Sequence, residues 1–322
     1  MEQSRNLTWA KGIALVLLTL ILLAIPFLLG RYLVFVLSVI CVYVIVALGM
    51  NILCGYTGML SLGHQAFFGI GAYCAAVLPA QLPGFPFPVA LCLGGLLSGV
   101  VGYLVGFSAL RTSGVYLAIA TIAFGMIMEE IFSEWSAVTG GQSGMAVLSP
   151  ALGPLRFESS SELFYLILGI TAVMFILAMN LISSNVGRAF VAVRESEISA
   201  QSYGISLVKY KTLAFAVSAF YVGVAGGLYA YLVKFIAPID FKLLVGIEFV
   251  VTVVVGGLAT IGGSVIGAIL LFSLPQLFAG LTDWQEMVTG FILLVVILFL
   301  KEGLWGGIYR LINRARVLLV RK

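Results

Sequence analysis

The chain has 322 residues, of which 62% are hydrophobic and 9% charged, with a net charge of +4, where an ordinary soluble domain carries about 25% charged residues. That balance excludes a water-soluble globular fold. From Tyr32 to Leu110 no Lys, Arg, Asp or Glu occurs, a stretch several times the roughly 20 residues that a helix needs to cross a bilayer. A membrane β-barrel would show polar and apolar residues alternating over about ten positions, whereas Ile13 to Leu23 and Phe291 to Leu300 are apolar at nearly every step. The reading is therefore all-α: a polytopic membrane bundle forming a single transmembrane domain over 1–322.

Breaks at charged and Gly/Pro-rich segments predict about ten spanning helices, at 12–29, 33–53, 60–79, 87–109, 115–133, 163–183, 212–233, 243–260, 264–281 and 287–304. The first is longer than a signal-peptide core and no small-residue cleavage site follows it, so it reads as a retained span. With both termini cytoplasmic, only Arg31, Arg156, Lys234 and Lys242 of the 17 Lys and Arg residues fall on the outer side. The positive-inside rule favours that orientation. It also turns the basic tail into an anchor near anionic lipid rather than a nucleic-acid surface. Two connections are long: an outer loop at about 134–162, rich in Gly and Ser, and a cytoplasmic loop at about 184–211. Long ordered loops commonly carry function.

Several chemistries lack their residues. No Gly-Lys dipeptide occurs, so there is no phosphate-cradling loop of the G-x-x-x-x-G-K-[ST] type, and no cofactor is implied. His64 is the single histidine, which excludes a multi-histidine metal site and leaves no spare base for a Ser/His/Asp triad. Cys41, Cys54, Cys74 and Cys92 lie in apolar runs without ligand spacing and read as small buried hydrophobes. Glu129, Glu130 and Glu248 fall near predicted outer helix ends, where carboxylates stay hydrated, so an ion relay is not indicated.

Small residues four apart at Gly95/Gly99, Gly102/Gly106, Gly223/Gly227 and Gly263/Gly267 provide flat faces for close helix crossing. A denser motif opens the third span: Thr57, Ser61, His64 and Gln65 are polar at steps of four, three and one among Gly55, Gly58 and Gly63. They could line a polar cavity reached from the cytoplasm, or hydrogen-bond between helices. In the inner loop, Ser196 suits an N-cap, Glu197 a first turn and Gly204 a C′ position. A short helix of about two turns is predicted there, with Ile198 and Gln201 on one face.

The motif from Gly55 to Tyr73 resembles the branched-chain amino-acid permeases of ABC importers, the LivM type. Ala109 to Thr121 is similar to that family's inner turn, and Thr139-Gly140-Gly141-Gln142-Ser143-Gly144 to its outer-loop motif. Asn185 to Ile205 resembles the segment that docks ATPases, and Gly256 to Gly263 adds a further match. The resemblance implies a permease subunit in the bacterial inner membrane that takes up branched-chain amino acids and has no catalysis of its own. Its implied partners are a second related permease, two cytoplasmic ATPases, a periplasmic binding protein and membrane lipid. Docking would fall to Arg188, Arg194, Glu195, Glu197, Ile198, Gln201 and Gly204. Urea or a short amide is the alternative cargo within the class. An autonomous channel or secondary carrier is the alternative outside it.

Overall fold

Apolar runs without charge leave the backbone no partner but itself, and helices are the local solution. The structure is a computed structural model that describes residues 30–277 apart from 83, 110–113 and 154, together with 26, 290, 291, 294, 303–307 and 310. Helix α1, Arg31–Met50, runs directly into a π-helical segment, Asn51–Tyr56. There follow α2 (His64–Gln81), α3 (Phe87–Ala109), α4 (Val115–Glu134) and α5 (Ser160–Ser183). Then come α6 (Asn185–Glu195), α7 (Glu197–Ser202), α8 (Leu207–Val233), α9 (Leu243–Gly256) and α10 (Ile261–Leu277).

Five described helices are long and apolar enough to cross a membrane: Arg31–Tyr56, Phe87–Ser108, Val115–Glu134, Ser160–Ser183 and Leu207–Val233. Nearly all of the expected first and tenth spans, 12–29 and 287–304, lie outside the described residues. Three boundaries inside the described residues differ from expectation by four or five residues. The third span starts at His64 rather than 60, because the chain turns through Gly58 at a φ of +74° before the helix can begin. The seventh starts at Leu207 rather than 212, because the Ser206 hydroxyl accepts from the Lys209 N–H and caps it early. The eighth stops at Gly256 rather than 260, because Gly257 has a φ of +125°. At 14 residues α9 is about 21 Å long, short of a roughly 30 Å hydrocarbon core.

Helix α8 is the central post, packed against α3, α2 and α1, while α5 and α10 flank α1. Glycine makes these approaches possible: a Cβ on Gly71 would sit on the Gly223 carbonyl, and one on Gly102 on the Ala219 methyl. Burial follows the same order. In α1 and α8, 72% of the most apolar stretch is buried, against 28% in α4 and 22% in α5. The outward apolar side chains of α4 and α5 therefore face lipid or other protein. A run of rings, Tyr43, Phe68, Phe249, Phe241, Phe132 and Tyr73, joins α1, α2, α4 and α9 through the core.

Between α4 and α5 the chain forms a one-turn helix, Ser136–Thr139, a 3-10 turn, Gly141–Ser143, and three short strands. These are β1 (Met145–Ala146), β2 (Ala151–Leu152) and β3 (Leu155–Arg156). A fourth strand, β4 (Phe235–Ile236), follows α8 and pairs antiparallel with β1, with Met145 opposite Ile236. The loop is thereby tied to the far end of the central post.

Candidate functional site: a glycine turn, its buried polar network and an exposed elbow

The π segment leaves carbonyls near its end without the usual helical partners, and local groups take them. Thr57 Oγ1 donates to the Ile52 carbonyl at 2.9 Å, and the Met59 N–H to the Leu53 carbonyl at 3.1 Å. The turn 57–63 is then held from α4, where Thr121 Oγ1 accepts from the Leu62 N–H at 3.1 Å. Helix α2 begins with His64, which is fully buried. Its Nδ1 lies 2.8 Å from Ser61 Oγ and its Nε2 2.9 Å from Ser218 Oγ on α8. A neutral imidazole has one donor and one acceptor, and both find partners here.

The structure thus places Thr57, Ser61, His64 and Gln65 together and buries all four. Interhelical hydrogen bonding describes His64, through Ser218, while Ser61 bonds His64 locally and Thr57 bonds the Ile52 carbonyl. Gln65 differs: its side chain is fully buried, and neither Nε2 nor Oε1 has a partner among the described residues.

A neighbouring polar cluster was not singled out in the sequence. Asn51, the first residue of the π segment, donates from Nδ2 to the Thr260 carbonyl at 2.7 Å and to Ser264 Oγ at 2.8 Å. Its Oδ1 accepts from the Ala259 N–H at 2.8 Å. The α9–α10 turn is therefore clamped to the end of α1. The usable signal was an amide side chain inside a charge-free run, where a buried polar group requires partners.

The segment 184–211 is not a linker but two helices in an elbow. Successive serines cap α6 and α7: Ser184 Oγ accepts from the Val186 N–H at 3.2 Å, and Ser196 Oγ from the Ser199 N–H at 3.2 Å. The C-terminal end of α7 closes with Gly204 at a φ of +78°; the Gly204 N–H bonds the Gln201 carbonyl and the Ile205 N–H the Ala200 carbonyl. This is a Schellman ending. The short helix expected after Ser196 is present, whereas α6 was not anticipated.

Arg188, Arg194, Glu195, Glu197 and Gln201 are all exposed. Arg188 bonds Asn185 on its own helix. Ile198 is 80% and Tyr203 86% exposed, while Ala200 is buried beneath them. Glu197 Oε1 and Lys211 Nζ, 2.7 Å apart, pin α7 to the start of α8. The elbow also meets the glycine turn. A Cβ on Gly58 would lie 3.1 Å from Arg194 Cγ. Between them opens a cavity of about 530 Å³, lined by Thr57, Gly58, Val115, Arg194, Glu197 and Lys211 among others.

At the other end of the molecule, Gly140, Gly141 and Gly144 all have positive φ, and Thr139 Oγ1 donates to the Phe132 carbonyl at 2.7 Å. Gln142 points outward from this fold. The glycine motif shapes a compact loop against α4 and leaves Gln142 accessible.

Residues 32–300 match the family described as branched-chain amino acid transport system / permease component. The chain is 31% identical to the LivM permease protein of the high-affinity branched-chain amino acid transport system of Salmonella typhimurium, over 92% of this chain and 75% of that protein. It is 25% identical to the LivH permease protein of the same organism, over 82% and 91%. The ribose import permease protein RbsC of Haemophilus influenzae is 27% identical, over 70% and 71%. No solved structure matches the chain. With a match over most of its length, the chain belongs to the permease-component family of branched-chain amino acid transport systems.

Proposed function

We propose that this chain is one of two transmembrane subunits of an inner-membrane ABC importer for branched-chain or other small hydrophobic amino acids. The single observation that carries the reading is the elbow. It is a capped, closed two-helix unit with apolar tips at Ile198 and Tyr203, seated directly on the turn that starts α2. A rigid protrusion transmits motion, whereas a solvated linker absorbs it.

In this reading both termini and the elbow are cytoplasmic, and two separate ATPase chains grip α7. Ile198 and Tyr203 enter the ATPase cleft, with Arg188, Arg194, Glu195, Glu197 and Gln201 around them. Closure of the ATPases moves α7, the Glu197–Lys211 pair carries the motion into α8, and Arg194 carries it to Gly58. The turn 57–63 then shifts the amino end of α2, switching the bundle between two packings. On the opposite face the glycine loop presents Gln142 to a periplasmic binding protein. The exposed apolar faces of α4 and α5 meet the second permease or lipid.

The test is co-purification and stimulated hydrolysis. Replacing Ile198 with Asp, or Tyr203 with Ala, is expected to release the ATPase chains and abolish hydrolysis stimulated by a loaded binding protein. Normal stimulation in both variants, or sustained solute flux by the isolated chain under an ion gradient, overturns the reading.

A further inference from the structure

Helix α2 starts inside the protein. His64 and Gln65, its first two residues, are fully buried, its N-cap is Gly63, and no side chain caps it. A helix start leaves N–H groups without intrahelical partners and carries the positive end of the helix dipole. An anion is the natural complement of such an end.

A second observation stands beside it. Among the described residues the Gln65 amide has no hydrogen-bond partner at either atom although it is enclosed, and native proteins rarely leave a buried polar group unpaired. Its surroundings are built from missing side chains: a Cβ on Gly125 of α4 would collide with Nε2, and one on Gly246 of α9 would collide with Oε1. The amide is therefore held in a seam where α4 and α9 close over the start of α2, with glycine backbone against each of its two atoms. Its neighbours are committed elsewhere. Both ring nitrogens of His64 are engaged by Ser61 and Ser218, and Thr57 bonds the Ile52 carbonyl.

We infer that the amino end of α2 is a carboxylate-binding site on the translocation path, with Gln65 Nε2 as its side-chain donor, exposed when α4 and α9 part. The inference rests on the importer reading above and adds to it the group by which the cargo is held. A free amino acid presents one carboxylate, which the amide N–H₂ can receive together with first-turn N–H groups other than that of Ala66, which bonds the Gly63 carbonyl. In the closed arrangement seen here the amide is left unpaired. That favours the ligand-bound open state over the empty closed one, as a switching element requires.

The probe is radiolabelled leucine, tested on the complete importer without its binding protein in detergent, with leucinamide as a competitor that lacks the carboxylate. Wild type is expected to bind leucine, and leucinamide not to displace it. Gln65→Met keeps the length and apolar stem and removes the unpaired amide. It is expected to raise or preserve the thermal midpoint while weakening leucine binding about tenfold or more, the scale of a lost hydrogen bond to a charged group. Unchanged leucine binding in Gln65→Met overturns the site. So does a lowered midpoint, which reveals a structural partner for the amide, and so does equal displacement by leucinamide. Hydrolysis stimulated by the loaded binding protein reports on the importer reading separately. If wild type lacks it, that reading fails; if Gln65→Met retains it while losing leucine binding, both stand.

Discussion

Two turns of similar sequence sit at comparable places in this bundle and are held in opposite ways. Gly58-x-x-Ser61-x-Gly63 follows α1 and leads into α2; Gly257-x-x-Thr260-x-Gly262 follows α9 and leads into α10. In the register that matches Gly58 with Gly257, Gln65 matches Ser264 and Asn51 matches Val250. The second turn is fully satisfied: Asn51 reaches across from α1 to Ala259, Thr260 and Ser264. The first has no such amide clamp, since valine stands where α9 would have to supply one; single contacts from Thr121 and Ser218 hold it, and its Gln65 amide is unpaired among the described residues. One turn is thus tied by a three-way amide clamp and the other by single hydroxyl contacts. The elbow touches the second kind, through Arg194 against Gly58.

The largest expected effect breaks the clamp. Asn51→Leu removes three hydrogen bonds and leaves the part-buried Ala259 N–H without its acceptor, which should destabilise the protein by about 2–4 kcal/mol. The loss is read as a lowered thermal midpoint in detergent, and an unchanged midpoint removes the distinction between the turns. Next, Gly246→Ala crowds the Gln65 amide and should cost about 1–3 kcal/mol. If the seam closes on that amide, adding Gln65→Ala recovers the part of the loss that the amide causes, while the Leu62 carbonyl, 2.8 Å from the same Cβ, keeps the remainder; a double-mutant cycle measures the coupling.

Gly58→Ala forces a side chain into a left-handed conformation beside Arg194, and should cost about 1–2 kcal/mol. The other turn already carries a non-glycine residue in that conformation, though at the position matched with Leu60: Ala259 has a φ of +57°. Ala259→Gly should therefore be close to neutral, and a large loss there shows that the two turns are not comparable. The smallest effect sharpens the first turn's own restraint. Ser218→Ala frees one imidazole nitrogen of His64, for about 1 kcal/mol, and should loosen the start of α2 measurably in amide exchange across 57–66.

The short helix α7 was legible because its determinants are local: a serine cap, an acidic first turn and a C′ glycine lie within a few residues of one another. The same holds for the packing glycines, whose spacing of four defines one helix face. Helix α6 was missed because Asn185–Glu195 alternates Arg and Glu with small apolar residues and is too polar to read as a span. Its stability comes from burying Phe190 and Val193 against the bundle and from the Ser184 cap. The early end of α9 and the late start of α2 were missed for a related reason. Hydropathy continues through Gly257 and begins before His64, while the backbone turns where glycine allows it.

The amino-acid sequence alone determined the solvent of this protein, its helical class and the family it belongs to, because composition and motif are properties of short stretches and need no partner. Only the tertiary structure decided which polar residues in the glycine-rich motif are spent on the protein itself and which is left over. Ser61 and His64 close a network with Ser218, Asn51 closes one with Thr260 and Ser264, and Gln65 closes none. Hydrogen bonds between residues so far apart in the chain depend on how helices cross, and the crossing is set by where every other glycine lets two backbones meet.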